Sequence, residues 1–162
     1  MSIIATDLDG TIFKGQTLID GVKEGLLKII NEGIEIYYTT NNSSQTPSEI
    51  KDKLEHLLQL DIDISKIITP LVIFQNLYSD DKLNIFIYGS ENLKKYIKNL
   101  NMNVTSLENA ELVLIGRKEE NNFSEINEII KSVSIGKNIL SLNKDLTFPT
   151  EFGEKAGNGA VV

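Results

Sequence analysis

A short apolar run, Ile3-Ile4-Ala5-Thr6, passes directly into Asp7-Leu8-Asp9-Gly10-Thr11, and this junction constrains the fold more than any other stretch of the chain. In extended backbone successive side chains alternate sides, so Asp7 and Asp9 point one way and Leu8 the other, into a core. Gly10 lets the chain turn at once. Paired carboxylates at a strand end, beside a glycine turn with exposed amide groups, suit a cation and a phosphate held together. Taken alone, the pentapeptide also reads as an acidic turn or a calcium loop.

The segment that follows narrows the choice. Ile12 to Ile19 reads as an irregular flap. Asp20 can cap a helix in which Val22, Leu26, Leu27, Ile29 and Ile30 recur at helical spacing, with Gly33 as its stop. Ile34 to Thr40 has the Ile, Tyr and Thr content of a buried strand. Strand, helix, strand favours two parallel strands, and ligands of such sheets lie beyond the carboxyl ends of the strands. Asp7, Asp9 and Thr40 are therefore expected at one edge.

Further along, Thr46-Pro47-Ser48-Glu49 combines a capping threonine, a proline at the first helical position and a glutamate placed to close a capping box. Ile50, Leu54, Leu57 and Leu58 form that helix's apolar face. Ile67-Ile68 reads as a short strand, and Thr69-Pro70 opens a helix with Leu71, Val72, Phe74 and Leu77 inward. Leu83 to Tyr88, Ala110 to Ile115 and Ile139 to Leu142 read as strands. Helices are expected from Ser90 and from Asn122, the latter with Ile126, Ile129, Ile130 and Val133 inward.

Two motifs resemble those of one family. Asp7-Leu8-Asp9-Gly10-Thr11 is similar to the first motif of the haloacid dehalogenase (HAD) superfamily of phosphatases. Tyr38-Thr39-Thr40-Asn41-Asn42-Ser43-Ser44 is similar to the second, in the form used by the nitrophenylphosphatase-like branch, which includes N-acetylglucosamine-phosphate phosphatase-like proteins. Leu112-Val113-Leu114-Ile115-Gly116, Asn138 to Asp145, Phe148-Pro149-Thr150-Glu151 and Gly157-Asn158-Gly159-Ala160 resemble the α/β cap inserted after that second motif. One departure stands out. Where the family usually has aspartate after the glycine, this chain has Arg117, followed by Lys118-Glu119-Glu120, which reads more readily as a solvated charged loop than as a substrate contact.

The resemblance implies an α/β fold: a HAD-like Rossmannoid parallel-sheet core, here its N-terminal portion over residues 1–66, with an inserted α/β cap over 67–162. It implies that Asp7 is the nucleophile and Asp9 the acid and then base. Gly10, Thr40 and Asn41 would hold phosphate, with Asn42 supporting them, and Mg2+ would be bound by Asp7 and Asp9. The family's third-motif lysine and fourth-motif acidic pair follow the cap, and neither is found here. Lys144 and Lys155 fall in cap-like sequence and do not take the lysine's role. The chain is thus expected to stop within the cap, leaving the nucleophile-bearing strand at a sheet edge to be covered by a second copy or by a complementing C-terminal segment.

Composition removes other classes. Of 162 residues, 41% are hydrophobic, enough for a core, and a formal net charge of -7 argues against a nucleic-acid partner. With no cysteine, neither a disulfide scaffold nor a thiolate metal site can form. His56 sits alone in a charged helix and reads as solvated. Asp7 interrupts the only apolar run near the N-terminus, so no signal peptide or membrane span is expected and a cytoplasmic location follows by default. The function expected is magnesium-dependent hydrolysis of small phosphorylated metabolites through an aspartyl-phosphate, incomplete in this chain, so that little or no activity is expected of these 162 residues alone. The alternative is an inactive HAD-like binding or assembly module.

Overall fold

The computed structural model describes residues 2–79, 82–118, 122–150 and 153–156. Strand β1 (Ile3–Asp7) leads into a small hairpin, β2 (Phe13–Lys14) and β3 (Thr17–Leu18), where an irregular flap was expected. Helix α1 (Val22–Asn31) follows. Its N-cap is Gly21, without a side-chain cap, so Asp20 does not serve. Gly33 ends the turn after it at φ 72°, a conformation that favours glycine.

Strand β4 (Glu35–Thr39) runs parallel to β1, with Asp7 opposite Thr39. Helix α2 (Pro47–Leu58) starts with the expected capping box, Thr46 and Glu49 each bonding the other's backbone. After a single 3-10 turn, β5 (Ile67–Ile68) pairs with β4, giving a three-stranded parallel sheet in the order β1-β4-β5. Ile67 and Ile68 are thus the second neighbour of β4.

The second sheet is parallel too. Helix α3 (Pro70–Tyr78), β6 (Asn84–Tyr88), α4 (Glu91–Asn99), β7 (Asn103–Val104), β8 (Leu112–Ile115), α5 (Phe123–Ser134) and β9 (Asn138–Ser141) build a sheet in the order β7-β6-β8-β9. Strands β10 (Thr147–Thr150) and β11 (Gly153–Ala156) form an antiparallel hairpin. Glu119, Glu120 and the 157–160 segment lie outside the described residues.

Period-two alternation explains the second sheet's cores. Ile85, Ile87, Leu112 and Leu114 pack with Leu71, Phe74, Leu93 and Ile97 of α3 and α4, while Tyr88, Val113 and Ile115 pack with Ile129 of α5 on the other face. Both faces are covered, so β8 reads as an unbroken apolar run. The first sheet is packed by Leu26 of α1 and by Ile50, Leu54 and Leu58 of α2, with Leu8 fully buried among them.

Several apolar positions expected inward are not. Leu77 is 68% exposed, Ile130 55% and Val133 44%. In α5 the inward positions are Ile129 and Ser132, whose hydroxyl bonds the Ile129 carbonyl at 2.7 Å, and this rotation turns Ile130 and Val133 toward solvent. His56 is exposed, in keeping with a solvated residue. Among the described residues no helix is long and apolar enough to cross a membrane.

Candidate active site

At the carboxyl end of β1 the pleat does what its sequence requires. Leu8 is buried, whereas Asp7 and Asp9 on either side of it reach solvent. Gly10 then turns at φ 86°. Its N–H donates to the Phe13 carbonyl at 2.8 Å, and the Leu8 carbonyl accepts from Thr11, Ile12 and Phe13. In this structure the Gly10 amide is thus engaged within its own loop, where the residue serves the turn.

The end of β4 supplies the second wall. Thr40 is buried, and its N–H donates to the Ile68 carbonyl at 3.1 Å, fixing the loop to β5. Its hydroxyl accepts from the Asn42 N–H at 3.0 Å and acts to lower the pKa of the Asp9 carboxyl. Asn42 bonds within its own loop. Its Oδ1 accepts from the Ser44 N–H at 2.9 Å and from the Ser44 hydroxyl at 2.6 Å, so the side chain shapes the loop. Asp7, Thr39, Thr40 and Asn41 line a cavity of about 510 Å³ whose far wall includes Leu140, Ser141 and Leu142 at the end of β9.

The carboxyl ends of the two sheets thus confront each other, and polar bonds tie them. Asn41 Nδ2 donates to Asp145 Oδ2 at 2.6 Å, and Asn143 Nδ2 donates to the Asn41 carbonyl at 2.9 Å. Behind them, Asn92 Nδ2 of α4 donates to Glu49 Oε1 of α2 at 3.2 Å.

Burial around the Asp9 carboxyl raises its pKa above the ordinary aspartate range, and the neighbouring charge of Asp7 adds to this. The Lys53 ammonium, the Thr40 hydroxyl and the Arg117 guanidinium oppose it without reversing it. Lys53 projects from α2 and lies 3.5 Å from the centre of the Phe13 ring. Its own pKa is lowered by burial, with the charge of Asp9 working against that. Sequence reasoning did not single out Lys53, Asn143 or the contact made by Asp145. For Lys53 a signal existed: it stands three residues after Ile50 and four before Leu57, at the margin of the buried face of α2.

Among the described residues no group of three or more His, Cys, Asp or Glu side chains converges as a metal site. A hard cation here would have the oxygens of Asp7 and Asp9 and otherwise water, a donor set that suits magnesium, which keeps much of its hydration. A carboxylate that reaches solvent beside a second one with raised proton affinity is equipped for nucleophilic attack paired with proton transfer.

Comparison with known proteins identifies the family and the fold. Residues 4–103 match the family described as haloacid dehalogenase-like hydrolase. The acid sugar phosphatase of Staphylococcus haemolyticus is 31% identical over 157 residues, which are 96% of this chain and 59% of that protein. Among solved structures, the p-nitrophenyl phosphatase from Archaeoglobus fulgidus superposes with a TM-score of 0.88 at 23% identity, over 99% of this chain and 62% of that one. The glycerol phosphate phosphatase Rv1692 from Mycobacterium tuberculosis, solved in complex with magnesium, gives 0.82 at 23% identity, over 99% and 49%. The chain spans about 60% of the length of the curated relatives it matches. With both motifs at the strand ends where the sequence puts them, and with the family match spanning the first sheet and running through β6 of the second, the chain belongs to the haloacid dehalogenase-like hydrolases.

Proposed function

We propose that this chain carries the nucleophile half of a magnesium-dependent phosphomonoester hydrolase acting on small phosphorylated metabolites, sugar phosphates among them. The observation that carries this is the pairing of Asp7, open to solvent, with Asp9, whose carboxyl holds its proton more tightly, beside Thr40 and Asn41. The Asp7 carboxylate attacks phosphorus, and the ester P–O bond breaks. Asp9 gives its proton to the leaving alkoxide. A water then attacks the phosphorus of the aspartyl-phosphate, Asp9 takes its proton, and inorganic phosphate leaves with the Asp7 carboxylate restored. Thr40 and the Asn41 backbone hold the phosphate oxygens. Asp7 and Asp9 would hold magnesium, which would supply charge neutralisation between carboxylate and phosphate.

Under this reading residues beyond the first sheet act as a cap, the Leu140–Leu142 wall closing over the substrate. The test is phosphate release from a panel of phosphomonoesters by the purified protein with magnesium, compared with Asp7→Asn. The variant keeps the side chain's shape and loses its charge, so hydrolysis should fall to background with an unchanged melting temperature. Substantial hydrolysis by a folded Asp7→Asn protein, or full activity after metal chelation, would overturn the mechanism. Phosphate binding without turnover in the unaltered protein favours the inactive binding module instead.

A further inference from the structure

Two residues of α3 are apolar where the surface of a soluble helix ordinarily carries polar groups. Leu71 and Phe74 pack the helix against the second sheet, whereas Ile73 and Leu77, one turn apart on another face, are 50% and 68% exposed. A helix apolar on more than one face has a second surface to cover. Here that surface borders the cavity of Asp7. Ile73 and Leu77 line it with Phe74 and with Ile68 at the end of β5, and Leu140 and Leu142 line it from the end of β9.

The polar side chains around the same cavity have their donors engaged. Thr39 Oγ1 donates to the Thr6 carbonyl at 3.1 Å, Ser141 Oγ to the Asn143 carbonyl at 2.6 Å, and Asn41 Nδ2 to Asp145 Oδ2. A polyol lying on this wall would lose water and find few partners. Each hydroxyl left unsatisfied weakens binding, and each apolar carbon removed from water strengthens it.

Resting on the phosphate-site reading, we infer that the body of the ester taken here is apolar, so that phosphomonoesters of aliphatic alcohols are preferred over those of polyols. The alkyl chain runs from the phosphate at Thr40 and Asn41 along the walls formed by α3 and the end of β9. A cavity of about 510 Å³ has room for a phosphate and a chain of several carbons. A sugar phosphate still enters by its phosphate, with a weaker hold on its body.

Phosphonates, which this chemistry does not cleave, separate the body from the phosphate. With magnesium present, calorimetric titration compares methyl-, propyl-, hexyl- and 2,3-dihydroxypropylphosphonate on the unaltered chain and on the double variant Ile73→Ser with Leu77→Ser. Hexylphosphonate should bind at least about tenfold more tightly than methylphosphonate, a gain that two fully buried methylenes would already give. The dihydroxypropyl ligand should fall back to about the methyl level. Because both substitutions are at exposed positions, the double variant should keep its melting temperature and hold methylphosphonate within about twofold, while losing most of the gain from chain length. No gain with chain length, a dihydroxypropyl ligand as tight as propylphosphonate, or a gain that survives the double variant intact would each overturn the inference. So would an equal loss of methylphosphonate in the variant, since these side chains would then be serving the phosphate. Failure of every phosphonate and of inorganic phosphate to bind sinks the phosphate-site reading itself and this inference with it.

Discussion

The amide of Asn41 and the carboxylate of Asp145 meet at 2.6 Å across 104 residues of sequence, joining the loop after β4 to the turn after β9. The bond places a negative charge on a group proposed to hold phosphate. Asp145→Asn keeps an acceptor for Asn41 and removes the charge, so inorganic phosphate with magnesium should bind about fivefold more tightly, roughly the 1 kcal/mol expected of one screened charge near a surface. Calorimetric titration checks this, and unchanged or weaker binding would show that the carboxylate does not compete. Global stability should move by less than about 1 kcal/mol, because both residues are exposed.

Helix α2 carries Lys53 to the site, and its first turn depends on Thr46, which accepts from the Glu49 N–H at 3.3 Å while Glu49 Oε2 accepts from the Thr46 N–H at 2.7 Å. Thr46→Ala should cost about 1 kcal/mol in urea denaturation. A loss near zero would mean that Pro47 and the packing of Ile50 alone set the start of the helix.

Glu55 links two parts of the first unit, pairing with Lys51 and accepting from the Ile62 N–H at 3.0 Å. The bond to Lys51, and after it the Ile62 bond, hold its carboxyl below the ordinary glutamate range. A lowered folded-state pKa gives stability that is present above the unfolded value, about 4.3, and lost as pH falls through the folded one. The stability gap between the protein and Glu55→Gln should therefore be open at neutral pH and narrow progressively below about pH 4. Thermal melts across that range decide it, and a constant gap contradicts it.

Strand β1 pairs with β4 on one side only among the described residues, and on it Ile3 is 61% and Ile4 37% exposed. An apolar strand with an unpaired edge is a template for another chain. The 162-residue chain should self-associate in sedimentation at rising concentration, and Ile4→Lys should suppress it. Monomeric behaviour of both proteins would discount the edge.

Much of this was legible in the sequence because the signals were local. The capping residues Thr46, Thr69, Ser90 and Asn122 all cap in the structure, since a cap is a bond between residues a few positions apart. The two motifs fall at strand ends because apolar runs of the right length precede them. What escaped was set by distance in space. Nothing near Asn41 announces Asp145, and nothing near Asp9 announces Lys53. The bond from the Gly10 amide to the Phe13 carbonyl was not legible either, because it depends on a hairpin of two-residue strands too short to leave a pattern.

The Ser90–Arg117 bond engages only main-chain atoms at position 117. Any residue other than proline at position 90 can still donate there, and any residue at 117 can accept, so this bond survives a change of side chain at position 117. Position 117 is in that sense an interchangeable bit on a fixed holder: substitution there leaves the main-chain clasp between the ends of β6 and β8 in place.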